Sequence, residues 1–138
     1  SVTAVSRLLG EGIGDTVRIS LSGDPVSEVL VAGAMLSAMG LRSDIPRVIS
    51  CPTCGRCHID VAGIAEKLER MIPASAGGIK VAVMGCEVNG PGEAKEADIG
   101  VAGTKNGAVM FMKGEVTGPV RGDILEALLS GIERLKVK

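Results

Sequence analysis

Cysteine is the residue type whose spacing in this sequence is best suited to chemistry. Cys51, Cys54 and Cys57 recur at every third position, and Cys86 stands alone further along the chain. Clustered thiols in a reducing compartment are more often metal ligands or redox groups than disulfides. Gly55 allows the backbone between them to curl, so that successive sulfur atoms can face one point. The cysteines are therefore the first candidates for a functional site.

Three kinds of chemistry fit these cysteines. Thiolates at this spacing suit an iron–sulfur cluster. The Cys51-Pro-Thr-Cys54 segment suits a disulfide redox pair. All four thiols, with His58 as an additional candidate ligand, suit structural Zn²⁺. Zinc modules usually supply a second pair of ligands on another tight turn, whereas Cys86 is single, and a dithiol pair has no need of Cys86. A cluster uses both cysteine segments, and the other two interpretations stay open.

The hydrophobic pattern predicts the elements that must position these thiols. A short apolar strand over 47–50 leads directly to Cys51, and another over 79–84 ends just before Cys86. Strict alternation predicts a strand over 15–22, and an Asp-Pro start predicts a helix over 25–39. We expect further helices over 59–72 and from residue 123 to the end, and a hairpin pairing 99–102 with 108–112. Strands that alternate with helices indicate an α/β fold, a mixed sheet with helices packed on it.

Composition and charge exclude several classes of function. The chain has 138 residues, 15 basic against 16 acidic side chains and a net charge of −1, so no basic field is available for nucleic acid or an anionic membrane. One Phe and no Trp or Tyr leave little for base stacking. The longest apolar stretch, 29–41, is shorter than the ~20 residues of a membrane span. We expect a cytoplasmic protein without a secretory leader.

The segment after Cys86 is a long and specific motif. Cys-Pro-Thr-Cys, followed later by Gly-Cys-x-Val-Asn-Gly-Pro-Gly-Glu-Ala, resembles the C-terminal part of the 4-hydroxy-3-methylbut-2-enyl diphosphate synthase family. Asp-Thr-x-Arg-x-Ser at 15–20 is also similar to that family, so the resemblance extends from about residue 15 to the end. It implies the reductive conversion of 2-C-methyl-D-erythritol 2,4-cyclodiphosphate to 4-hydroxy-3-methylbut-2-enyl diphosphate in isoprenoid biosynthesis, with flavodoxin or ferredoxin as electron donor.

The resemblance also implies a ligand set. A [4Fe–4S] cluster in that family is held by three cysteines and one glutamate, which match Cys51, Cys54, Cys86 and Glu93. A carboxylate is a hard oxygen ligand on an iron otherwise held by soft sulfur, so a substrate oxygen can replace it and the site becomes catalytic. Asn89 is implied to lie beside the cluster and to make a polar contact to the cluster or to the substrate. Without the resemblance, the favoured interpretation of Glu93 is a solvated turn acid, and Asn89 is a turn residue that tolerates positive φ.

Cys57 departs from the family pattern, which has no third thiol at that position. It either replaces Glu93 in an all-thiolate site or is a spare thiol near the start of a helix, and the intact Cys86 to Glu93 motif favours the spare thiol. His58 is the only histidine and is interpreted as a surface or capping residue. The alternative from another class is a non-catalytic electron-transfer or zinc-binding module that uses all four cysteines.

The N-terminal part of the chain is expected to belong to a second domain. The resemblance implies that residues 1–44 are the last strand–helix unit of a TIM barrel, and that 45–138 form a cluster-binding domain like those of sulfite and nitrite reductases. Arg18 and Ser20 would bind the substrate's diphosphate, since guanidinium and hydroxyl groups suit phosphate oxygens. The family's active site forms within a homodimer, between the barrel of one subunit and the cluster domain of the other, so the chain is expected to be a fragment that is inactive alone.

Overall fold

The computed structural model describes residues 2–88 and 96–136, and the chain divides into two compact units, Ser1–Ile45 and Pro46–Lys138. The helices in the described part are α1 (Val2–Gly10), α2 (Pro25–Ala38), α3 (Val61–Met71) and α4 (Ile124–Lys136), with a 3-10 turn at Ala74–Ala76. The strands there are β1 (Arg47–Ser50), β2 (Lys80–Met84), β3 (Ile99–Thr104), β4 (Gly107–Met112) and β5 (Glu115–Pro119). None of these helices is long and apolar enough to cross a bilayer.

The first unit contains the helix that the Asp-Pro start predicts. Asp24 caps α2 by accepting a hydrogen bond from the Val26 N–H at 3.2 Å, and Pro25 occupies the first turn, where its missing N–H costs nothing. Gly40 follows the helix with φ +71°, a left-handed conformation that favours glycine. The predicted helix is confirmed, whereas α1 was not predicted.

The strand predicted over 15–22 is wrong. The residues are extended, but the described part of this unit has no strand to pair with them, and the Leu21 N–H instead donates to Glu28 Oε1 at 2.9 Å. A strand needs a neighbour to accept its backbone hydrogen bonds, so alternation alone does not create one. On the apolar side Ile19 is buried, whereas Leu21 is exposed like Arg18 and Ser20, so the alternation matches burial only in part.

The second unit is built on a five-stranded mixed sheet in the order β1-β2-β3-β4-β5. The first three strands are parallel, with Ser50 opposite Val83 and Val83 opposite Val101, and the last two are antiparallel. This confirms the α/β class, the strands before both cysteine segments and the hairpin. Because β1 to β3 are parallel, their carboxyl ends lie at one edge of the sheet. We call this the cysteine edge, since Cys51 and Cys86 follow β1 and β2 there.

The two faces of the sheet have separate cores. The helices α3 and α4 pack on one face through Leu68, Leu128 and Ile132, which meet alternate residues of the central strands. The other face buries Ala82, Met84, Ala97, Ala102 and Phe111. The strand β5 was not predicted, because Gly and Pro within a short, exposed segment give no apolar alternation.

Candidate metal centre

The ends of β1 and β2 bring Cys51 next to the Gly85-Cys86 segment. The Cys51 N–H donates to the Val83 carbonyl oxygen at 3.3 Å, so the chain continues the β1–β2 pairing beyond the end of β1. The Gly85 N–H then donates to Cys51 Sγ at 3.1 Å. Cys86 follows Gly85 and is only 4% exposed. Residues that are far apart in the sequence therefore meet at the cysteine edge through an N–H···S hydrogen bond.

The loop between Cys51 and Cys57 folds into a tight turn. The Cys57 N–H donates to the Cys54 carbonyl oxygen at 2.9 Å, which closes the turn around Gly55 and Arg56. Cys54 is exposed. A hydrogen bond from the Arg56 backbone is the main cause that lowers the pKa of the Cys54 thiol below its ordinary value, and the Arg56 guanidinium acts in the same direction. Cys54 is thus a solvent-facing thiol whose thiolate is favoured.

Cys57 is packed inside the same region. Its thiol donates to the Ile59 carbonyl oxygen at 3.1 Å, and its side chain contacts the core formed with α3. A metal-bound thiolate accepts hydrogen bonds, whereas the Cys57 sulfur faces a carbonyl oxygen, which is itself an acceptor. The neighbouring His58 is exposed, and its backbone N–H donates to the Gly85 carbonyl oxygen at 2.8 Å. This arrangement supports a spare thiol at Cys57, an assignment that stays a prediction.

The predicted site also includes one further ligand and one polar residue. Asn89 and Glu93 fall in 89–95, outside the residues that the structure describes. Within 2–88 and 96–136, no group of three or more His, Cys, Asp or Glu side chains is close enough to hold a metal ion. The donor types of the set nevertheless fit an iron–sulfur cluster. Its three cysteines, Cys51, Cys54 and Cys86, form no disulfide, and Cys51 Sγ accepts an N–H···S bond. The four-ligand set stays a prediction.

The predicted diphosphate ligands lie together in the first unit. Arg18 Nε donates to Ser20 Oγ at 3.3 Å, and both side chains are exposed on the extended segment. A guanidinium and a hydroxyl side by side can both donate to phosphate oxygens.

Gly85 is the site residue that sequence reasoning missed. It donates to Cys51 Sγ, accepts from His58, and lies against Gly103 of β3, where a Cβ would be 2.4 Å from the Gly85 carbonyl oxygen. The only signal in the sequence is a glycine directly before Cys86. Such a glycine has many explanations until the approach of a second segment is known.

We expect the cysteines of the cluster-free protein to differ in their reaction with iodoacetamide. Cys54 is exposed, whereas Cys86 is buried, so we expect Cys54 to be alkylated at least about tenfold faster than Cys86. Peptide mass spectrometry after timed, substoichiometric alkylation under reducing conditions measures both rates in one sample. Denatured protein is the control, in which the two rates should converge. Equal rates in the folded protein would contradict the positions described for these thiols.

Taken together, the fold and the thiols define an α/β domain that presents cysteines from the carboxyl ends of parallel strands. Residues 47–134 match the family model described as GcpE protein C-terminal domain. The chain belongs to this family. The match covers nearly the whole second unit, from the start of β1 into α4.

Curated relatives are similar over almost the whole chain. The chain is 51% identical to a protein of Desulfotalea psychrophila over 99% of its own length and 38% of the relative, and 52% identical to one of Caldanaerobacter subterraneus over 98% and 38%. It is 47% identical to one of Nitratidesulfovibrio vulgaris over 96% and 35%. All three are named 4-hydroxy-3-methylbut-2-en-1-yl diphosphate synthase (flavodoxin). The chain thus spans little more than a third of the length of these relatives.

Proposed function

We propose that this chain is the cluster-binding part of an oxidoreductase that converts 2-C-methyl-D-erythritol 2,4-cyclodiphosphate to 4-hydroxy-3-methylbut-2-enyl diphosphate in isoprenoid biosynthesis. The observation that carries the proposal is the meeting of Cys51 and the Gly85-Cys86 segment at one edge of the sheet. Membership of the family and the names of the relatives support the same activity. The four free cysteines are consistent with the cytoplasm as its compartment.

In this proposal a [4Fe–4S] cluster is held by Cys51, Cys54, Cys86 and Glu93. When bound, the cluster supplies electrons one at a time, which closed-shell Zn²⁺ cannot do. Cys51 and Cys86 hold it from the ends of two paired strands, and Cys54 holds it from the solvent side of the turn. Glu93 is the only hard oxygen donor of the set and hence the most readily exchanged ligand. Asn89 offers an amide to the substrate.

The first unit supplies the proposed substrate contacts. Arg18 and Ser20 bind the diphosphate, and their existing hydrogen bond supports a joint role. We propose that residues 1–44 are the last strand–helix unit of a TIM barrel, whose extended segment pairs with neighbouring barrel strands. Residues 45–138 would then be a domain of the sulfite and nitrite reductase type. The active site would form in a homodimer, between the barrel of one subunit and this domain of the other, so the chain alone would be inactive.

Metal analysis of a full-length enzyme carrying this domain tests the proposal. After anaerobic reconstitution we expect about four iron and four acid-labile sulfide per chain. Glu93→Ala should retain most of the iron but lose turnover, because only the exchangeable ligand is removed. Zinc without sulfide would overturn the proposal and support the module that uses Cys51, Cys54, Cys57 and Cys86. Turnover of Glu93→Ala at the unsubstituted rate would remove Glu93 from its assigned role.

The electron donor is proposed to dock at the cysteine edge. The relatives' names specify flavodoxin, and an acidic flavodoxin or ferredoxin would be attracted by exposed cations near the cluster. Lys105 lies in the β3–β4 turn, at the carboxyl end of β3 and hence at the cysteine edge. Lys113 lies in the β4–β5 turn, at the opposite edge of the same sheet.

These two lysines form a matched pair for testing the docking edge. We expect Lys105→Glu to raise the KM for the donor roughly fivefold to tenfold at low ionic strength, because like charges then meet at the interface. Lys113→Glu makes the same change of charge and should leave this KM within about twofold. Steady-state kinetics with reduced donor at two salt concentrations measures both. Equal effects of the two variants would exclude docking at the cysteine edge.

A further inference from the structure

We propose that the backbone amide of Gly85 is a positioning group that donates an N–H···S hydrogen bond to the Cys51 thiolate and thereby raises the reduction potential of the cluster. The inference rests on the proposed cluster site and adds a group that determines its redox behaviour. The N···S distance of 3.1 Å is as short as an ordinary N–H···O bond, although sulfur is the larger atom.

The peptides on both sides of Gly85 are held in place. The amide on its N-terminal side donates to Cys51 Sγ, and the carbonyl on its C-terminal side accepts from the His58 N–H at 2.8 Å. The same carbonyl oxygen lies against Gly103, where a Cβ would come within 2.4 Å. Contacts from Cys51, His58 and Gly103 therefore hold the Gly85 backbone on both sides of its Cα before any metal binds.

The packing around Gly85 also gives Cys57 a role. A Cβ on Gly85 would lie 2.5 Å from Cys57 Sγ and 3.2 Å from Val61 Cγ2. Gly85 is not among the glycines of positive φ, so lack of space and not backbone conformation excludes a side chain there. The Cys57 side chain thus occupies the space that a side chain at position 85 would need.

Electrostatics determines whether the Gly85 N–H raises or lowers the reduction potential of the cluster. Reduction adds negative charge to the cluster and its thiolates, and an N–H dipole aimed at a sulfur stabilises that added charge. Hydrogen bonds to the sulfurs are among the factors that set the potentials of iron–sulfur clusters. Loss of the Gly85 N–H···S bond is therefore expected to make the cluster harder to reduce while leaving all four ligands in place.

Three variants of the full-length holoenzyme test the proposal. In Gly85→Ala the new methyl group meets Cys57 Sγ and moves the amide away from Cys51, so we expect the equilibrium constant for reduction to fall at least about tenfold, or ~59 mV for one electron. In Gly85→Ala/Cys57→Ala the sulfur is gone, and the new methyl group is 3.3 Å from the Cβ at position 57. We therefore expect this variant to recover most of the decrease in reduction potential. Cys57→Ala alone should leave the potential unchanged.

Potentiometric titration followed by electron paramagnetic resonance measures these potentials. Pulsed resonance of the reduced unsubstituted enzyme in D₂O should show a strongly coupled exchangeable deuteron, lost in Gly85→Ala and recovered in the double variant. Gly55→Ala is the matched control, because it makes the same change in the other cysteine segment and a Cβ there meets nothing within 4 Å. Its potential and deuteron coupling should match those of the unsubstituted enzyme.

The outcomes separate this inference from the proposed function. Absence of iron and sulfide from the unsubstituted enzyme would overturn the cluster itself. A cluster that is present but shows no coupled deuteron would overturn the Gly85 hydrogen bond, even if every Gly85 variant failed to fold. An unchanged potential in a Gly85→Ala enzyme that retains its cluster, or a double variant that retains it without recovering the potential, would also overturn the inference.

Discussion

Replacing Cys86 with serine in a full-length enzyme that carries this domain is expected to reduce bound iron and sulfide to background and turnover by at least about a thousandfold, or ~4 kcal/mol. Cys86 is 4% exposed and directly follows Gly85 at the cysteine edge. A serine hydroxyl is a harder donor than a thiol and stays protonated near neutral pH, so it replaces a thiolate ligand poorly. Iron, acid-labile sulfide and turnover are measured on the same anaerobic preparation.

Cys57→Ser is the matched control for this experiment. It makes the same exchange of sulfur for oxygen in the same region, but at a thiol that donates to the Ile59 carbonyl oxygen. A hydroxyl can keep that hydrogen bond, so we expect iron and sulfide content to be unchanged. The four-cysteine module predicts instead that both substitutions remove the metal. Loss of the cluster in Cys57→Ser would show that Cys57 is a ligand. Glu93 would then be interpreted as a solvated acid and not as the fourth ligand.

Phe111→Ala is expected to lower the free energy of unfolding by about 3–5 kcal/mol, the usual cost of removing a large buried ring. Phe111 is 2% exposed and is the only aromatic residue of the chain. Its ring lies over Gly100, where a Cβ would come within 2.4 Å of Cζ. The surrounding small residues cannot fill the space that the ring leaves. Because domains are stable by only about 5–15 kcal/mol, this single change removes a large share of the total.

Urea unfolding followed by circular dichroism measures the effect. Val116→Ala is the control, since Val116 is opposite Phe111 in the β4–β5 register but 69% exposed. Surface substitutions of this kind usually change stability by no more than about 0.5 kcal/mol. Similar losses in the two variants would contradict the burial of the Phe111 ring. A changed denaturant slope would indicate a change in the compactness of the denatured or native state, or loss of two-state unfolding.

Most helices and strands could be predicted because their signals are local. The cap at Asp24 and Pro25 begins α2, and short apolar runs form β1 and β2. The errors have equally physical causes. Residues 15–22 alternate like a strand, but the described part of their unit provides no partner strand, and β5 carries Gly and Pro where alternation would have marked it. Hydrogen-bond partners are supplied by other parts of the chain, and a sequence pattern does not contain them.

The sequence by itself determined which residues are available for chemistry, because residue type and spacing are written in it. The cysteine spacing, the motif that contains Asn89 and Glu93, and the strands leading to Cys51 and Cys86 all follow from short segments. The tertiary structure alone decided that Gly85 meets Cys51 and that Lys105 and Lys113 lie at opposite edges. These facts depend on strand order, direction and register, which arise from packing between segments distant in the chain.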